Sequence, residues 1–123
     1  MNVTLDTNVL ERLAAQDDPA QAAAALRVLQ KASLIAVPTV ALCEMVWLLL
    51  RCYRYTSAQV AHAVNTLLQV RQVVCHAPSV LAGLALLENG GDFANGVIAF
   101  EGSLLGGTEF VSFDQQAIKP SSC

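Results

Sequence analysis

The stretch Asn2-Val3-Thr4-Leu5-Asp6-Thr7-Asn8-Val9-Leu10 changes period in its middle. Asn2 to Leu5 is a short β-rich run, and from Asn8 the apolar residues Val9, Leu10 and Leu13 recur at helical spacing. A strand therefore gives way to a helix at Asp6, which stands at the strand's carboxyl end, and Thr7 or Asn8 is expected to cap the helix. The same change recurs downstream. Leu34 to Val37 is an apolar run stopped by Pro38, after which Thr39 can cap a helix reaching about Arg51. Gln72 to Cys75 reads as a third short strand before a helix opened by Pro78, and Glu109 to Phe113 reads as a fourth, with Asp114 at its end.

The intervening segments supply the crossovers. Asp18 and Pro19 read as the N-cap and first turn of an alanine-rich helix from Ala20 to Ala32, expected to pack through Leu26 and Leu29. Thr56-Ser57 opens a helix to about Val70. The helix from Pro78 stops at Asn89-Gly90-Gly91, and Asp92 caps another that runs through about Leu105 and closes at Gly106-Gly107. The order β-α-α-β-α-α-β-α-α-β argues for an α/β fold, a three-layer α/β/α sandwich around a short-stranded parallel sheet.

At 123 residues the chain has the length of a single domain, 1–123. It is 54% hydrophobic and 14% charged, too apolar to remain disordered. Its most apolar window, Leu34 to Leu50, is broken by Pro38 and carries Glu44, which argues against a membrane span. The acids Asp6 and Glu11 near the N-terminus, without a basic segment, fit no signal or transit peptide, so a cytoplasmic location is expected. Cys43, Cys52, Cys75 and Cys123 form no Cys-x-x-Cys pair and read as reduced thiols. The net charge of −3 supplies no basic sheath for sequence-blind nucleic-acid binding, so an anionic substrate would need a metal or a local arginine.

In open α/β sheets, ligands bind beyond the carboxyl ends of the strands. Asp6 and Asp114 satisfy that placement, Asp92 and Asn95 open a helix, and Glu44 stands among Leu42, Met45 and Trp47 with no base within six positions. A carboxylate buried there without a partner is costly, and a divalent cation shared with other acids would offset the cost. Oxygen-only ligands favour Mg²⁺ or Mn²⁺ over zinc. Such a site hydrolyses phosphodiesters without a protein nucleophile.

Leu5-Asp6-Thr7-Asn8-Val9, Glu44 within the run Val40 to Trp47, the block Gly91-Asp92-Phe93-Ala94-Asn95-Gly96-Val97-Ile98-Ala99 and Ser112-Phe113-Asp114 together resemble a PIN domain. The subgroup they are most similar to is the VapC-like ribonuclease toxins of toxin–antitoxin systems. The resemblance spans nearly the whole chain. It implies a Mg²⁺- or Mn²⁺-dependent endoribonuclease, commonly a homodimer, held inactive by a cognate antitoxin. Carried over by motif, Asp6, Glu44 and Asp114 match metal-site acids that would be catalytic, joined by Asp92. Thr7 and Asn8 match the Asp-Thr-Asn motif, whose side chains orient Asp6 or touch a bound water or phosphate, and Ser112 matches a supporting hydroxyl. The chain departs from the pattern at Asn95, where relatives carry an acid. An amide there removes one negative charge, which Asp92, three residues earlier on the same helical face, would partly restore. The rival expectation is a catalytically impaired binding module of the same fold that holds an antitoxin.

Among the remaining residues, Arg12 follows Asn8 by one turn and is a candidate RNA contact at the pocket mouth. Asp17 reads as a capping and solvated acid, Trp47 as core or dimer interface, and His62 and His76 as ordinary surface residues. The neighbours Cys75 and His76 form a weak candidate for a nucleophile pair, because sequence neighbours rarely meet in space.

Overall fold

The computed structural model of the chain describes residues 1–113. It is mixed α/β, mostly helical, in the order β1 (Asn2–Thr4), α1 (Thr7–Ala15), α2 (Pro19–Lys31), β2 (Leu34–Ala36), α3 (Thr39–Arg51), α4 (Ser57–Leu68), β3 (Val73–Val74), α5 (Ala77–Glu88) and α6 (Phe93–Leu104). The sheet has the order β1-β2-β3 and is parallel throughout, with Val3 beside Ile35 and Ile35 beside Val73. Leu5 N–H donates to the Ala36 carbonyl at 3.0 Å, and Val37 N–H to the Val74 carbonyl at 2.9 Å, so pairing continues to the carboxyl ends. Parallel pairing puts the ends of all three strands on one edge, and Asp6, the start of α3 and His76 follow from that edge.

The core forms where β2 meets the helices. Ile35 and Val37 are buried with Leu42, Met45, Val46 and Leu49 of α3 and with Leu10 of α1. Side chains of this size each contribute about 1.5–3 kcal/mol on full burial. No helix among the described residues is long and apolar enough to cross a membrane.

Three helix starts are as the sequence predicts. Asp18 accepts from Gln21 N–H at 3.1 Å with Pro19 in the first turn, Thr56 forms a capping box with Gln59, and Asp92 accepts from Asn95 N–H at 3.1 Å. Two differ. Asp6 itself caps α1, its Oδ1 accepting from Val9 N–H at 3.1 Å, in place of Thr7 or Asn8, because the helix begins one residue earlier than the apolar spacing indicates. Pro38, not Thr39, occupies the cap position of α3 and offers no side-chain bond.

Two further expectations are corrected. Leu29 packs partly buried against the core as expected, but Leu26 is 50% exposed and α2 buries none of its residues fully, since its alanines offer little apolar surface to a second element. Glu109 to Phe113 forms no strand: Phe110, Val111 and Phe113 are exposed, the last at 95%. A β-rich run needs a neighbour to pair with. Here Gly106, at φ +103, turns the chain so that Gly107 N–H donates to the Gly102 carbonyl at 2.9 Å, which folds it back on α6 instead.

The α5–α6 hairpin is held by close approach. A Cβ on Gly96 would lie 2.6 Å from the Ala82 carbonyl oxygen, and one on Gly83 would lie 2.8 Å from the ring of the fully buried Phe93. Gly96→Ala gains helix propensity yet forces the helices apart. The expected outcome is a net loss of about 1–3 kcal/mol, read as a lower midpoint in urea unfolding at unchanged slope.

Candidate functional site

The carboxyl edge carries Asp6, and Glu44 is tied to it through Thr7. Asp6 follows β1 and is exposed. Thr7, the first residue of α1, donates its Oγ1 hydrogen to Glu44 Oε1, which ties the Asp-Thr-Asn segment to α3. Glu44 is exposed, against the expectation of a buried and partnerless carboxylate. Its neighbours Leu42 and Met45 turn inward while Glu44 lies on the outer face with the exposed Trp47, whose ring carries the Arg51 guanidinium 6.0 Å from its centroid. Trp47 is therefore not core.

Two further acids act on α3 through their charges. The Cys43 thiol is pushed up to about 11, first by burial and then by the charges of Asp92, Glu101 and Glu44, so three carboxylates from two helices bear on one half-buried position. At that value Cys43 is a protonated thiol at neutral pH and no nucleophile. Burial also raises Cys75, and the His76 ring turns to Ser79, so the Cys75 and His76 pair is not formed. Cys43 and Cys75 are free thiols, as expected, whereas Cys52 is disulfide-bonded, against the reading of reduced cysteines.

Glu101 is fixed by a chain of hydrogen bonds. Ser79, wholly buried in the first turn of α5, donates from Oγ to Glu101 Oε2 at 2.8 Å, and His76 Nδ1 lies 2.7 Å from the same Oγ. Neither Ser79 nor Glu101 was singled out from the sequence. The signal that finds them is the fold-back at Asn89-Gly90-Gly91, which sets the first turn of α5 against the end of α6 and so places residue 79 opposite 101.

Arg12 lies in the last turn of α1 rather than beside Asp6. Its guanidinium pairs with Glu11 at 2.5 Å and Asp17 at 3.4 Å and also donates to Gln21. Glu11 is almost fully buried and, with Asp17, accepts from the Tyr53 hydroxyl, at 2.9 and 2.5 Å. The placement does not favour the expected RNA contact, and Asp17 belongs to this network rather than to a simple cap. Asn8 is exposed in the first turn of α1, Asn95 is half-buried in the first turn of α6, and Ser112 is exposed in the irregular segment beyond it. Asp114 lies outside the described residues.

The donors at this edge are oxygens, which suit a hard dication. One oxygen each of Asp6, Glu44 and Asp92 accepts a hydrogen bond, and none of these three acids makes a salt bridge among the described residues. Among the described residues no three His, Cys, Asp or Glu side chains come together closely enough to hold a metal ion, so the described acids fit such an ion in chemistry and not yet in number. Elsewhere, a cavity of about 710 Å³ is lined by Leu10, Leu13, Met45, Tyr55, His62 and Leu67 among others and contains no carboxylate. Comparison of the chain with family models, curated proteins and solved structures returned no match.

The Tyr53 network sets a pH dependence. The Tyr53 hydroxyl, foremost, and the Arg12 charge hold the Asp17 carboxyl below its ordinary value. A depressed carboxyl stabilises the fold above its unfolded value near pH 4 and loses that contribution as pH falls through the folded one. Urea midpoints measured between pH 6 and pH 2 should therefore drop more steeply for the parent than for Tyr53→Phe, and equal slopes would remove the network as the cause.

Proposed function

We propose that this chain is a Mg²⁺- or Mn²⁺-dependent endoribonuclease of the PIN-domain kind, with a three-layer α/β/α arrangement, acting in the cytoplasm as the toxin of a toxin–antitoxin pair. The observation that carries the reading is the Thr7–Glu44 hydrogen bond, which joins two of the four resembling motifs at the carboxyl edge. Support for the third motif comes from Asp92, whose charge acts on the same Cys43 position as that of Glu44. In this reading Asp6, Glu44, Asp92, Asn95 and Asp114 would hold the ion, with Thr7, Asn8 and Ser112 in support.

The bound ion would supply charge neutralisation at the phosphodiester and a water made acidic enough to attack it. The chain's own part is orientation. Thr7 fixes one oxygen of Glu44, and the caps formed by Asp6 and Asp92 fix those two carboxylates at helix starts, where each retains a second oxygen. The apolar cavity beside α1 and α4 supports an antitoxin partner with an apolar segment, since α2, which contributes Leu29 to its wall, buries none of its own residues. A homodimer remains part of the proposal on resemblance alone.

One observation favours a second reading, the non-catalytic binding module. Asn95 is neutral where the resembling proteins carry an acid, and the described residues bring no three ligands together. Thermal melts with and without Mn²⁺, paired with cleavage of a structured RNA, separate the two. For the nuclease, saturating Mn²⁺ at about ten times Kd stabilises by about 1.4 kcal/mol, a rise of a few degrees, and Asn95→Asp increases both the shift and the cleavage rate. An Asn95→Asp chain that shifts with Mn²⁺ but leaves RNA intact establishes the binding module and ends the enzyme reading.

A further inference from the structure

We propose that His76 is the proton donor to the leaving oxygen of the phosphodiester, with Ser79 and Glu101 as the positioning residues that set its ring; this rests on the nuclease reading above. His76 follows β3 at the cap position of α5, on the edge that carries Asp6 after β1 and Glu44 after β2. It is exposed, while the serine that holds it is wholly buried. Packing thus fixes one end of the relay and leaves the other open to a substrate.

The donor and acceptor roles follow from counting protons. A serine hydroxyl has one proton, and the Glu101 carboxylate can only accept, so the 2.8 Å bond uses the Ser79 proton. The 2.7 Å contact between His76 and Ser79 then requires a proton on Nδ1. With Nδ1 committed to Ser79, Nε2 is the nitrogen left to face a substrate. The arrangement is that of a histidine oriented by an acid through one intervening hydroxyl, which holds the imidazole in one tautomer.

Among the described residues the groups that face this relay are few. On α6 the titratable residue is Glu101, with the cap Asp92 at the far end of that helix. The Phe100 ring lies against the imidazole, centroids 6.5 Å apart. Cys75 adjoins from the end of β3, and on α5 itself Glu88 lies at the opposite terminus. His62, the titratable residue of α4, lines the apolar cavity instead. The helix that carries Glu101 packs against α3, the helix that carries Glu44.

The reaction balances with water as co-reactant. The water oxygen forms a bond to phosphorus, the bond from phosphorus to the leaving ribose oxygen breaks, and Nε2–H delivers its proton to that oxygen. The attacking water releases its own proton to solvent, from which His76 is recharged. A positioned general acid of this kind contributes about 10²–10⁴ in rate.

The test compares an RNA oligonucleotide with bis(p-nitrophenyl) phosphate, whose p-nitrophenolate leaves without needing a proton, in Mn²⁺. Far-ultraviolet circular dichroism confirms that each variant is folded. His76→Gln should slow RNA cleavage by about 100-fold or more, while leaving the activated ester within about threefold of the parent. Ser79→Ala and Glu101→Ala should each lower RNA cleavage by about tenfold, and Glu101→Gln, which still accepts from Ser79, should recover part of it. A second measurement needs neither metal nor turnover: long-range ¹H–¹⁵N spectra at alkaline pH should find the His76 proton on Nδ1, and Ser79→Ala should release it to Nε2. Equal loss of both substrates in His76→Gln, loss of neither, or a proton on Nε2 in the parent overturns the role of His76 and leaves the nuclease reading standing. A parent that hydrolyses neither substrate overturns the nuclease reading and this proposal with it.

Discussion

Parallel pairing of three very short strands is the constraint from which the rest of the molecule follows. Strands of three, three and two residues form few ladder bonds, so the sheet depends on its central strand being enclosed by helices. Ile35 and Val37 achieve this against Leu42, Met45, Val46 and Leu49. Because parallel neighbours cannot be joined by hairpins, each connection is a crossover built here from two helices, and each crossover begins at the same edge. Asp6, the α3 segment with Cys43 and Glu44, and His76 are brought to one side of the protein by backbone topology before any side chain interacts.

The amount of this that can be read from the residues depends on how local the cause is. The caps by Asp18, Thr56 and Asp92 are legible because a cap is decided within four residues. The strand cores at Asn2 to Thr4 and Leu34 to Ala36 are legible because their apolar or β-rich runs are bounded by Asp6 and Pro38. Glu109 to Phe113 has a suitable composition and no strand, since pairing is a long-range event that composition cannot guarantee. The same distinction separates the site residues. Glu44 sits between buried Leu42 and Met45 and still points outward, because helical spacing and not adjacency decides which face a residue takes. Ser79 and Glu101 meet only through the α5–α6 hairpin and leave no mark in a linear motif.

Electrostatics divides the surface in a way the net charge alone does not reveal. Glu11 is buried, and an ion in that position is destabilising by several kcal/mol unless it is paired. Arg12 and Tyr53 meet that demand, which draws the guanidinium toward the end of α1 and away from the edge. Asp6, Glu44, Asp92 and Glu101 are left without a salt bridge among the described residues. Carboxylates left in that state repel a phosphodiester unless a cation intervenes, so a role in RNA chemistry would bring with it a need for a divalent ion.

The two readings of Asn95 turn on how freely Asp92 can replace a missing acid. Asp92 Oδ2 accepts from Asn95 N–H, so one of its oxygens is committed to starting α6 and only the other is available to a ligand. Movement of the helix cannot compensate easily, because Gly96 already sits against Ala82 of α5 and the buried Phe93 ring against Gly83. A rigid α6 with a half-committed carboxylate would make a weaker cation site than one with a free acid at residue 95, without any change in fold. Asp6 has the same divided role at α1. Because asparagine caps helices about as well as aspartate, exchanging either carboxylate for its amide removes charge while retaining the cap, and the loss that follows belongs to the site rather than to the helix.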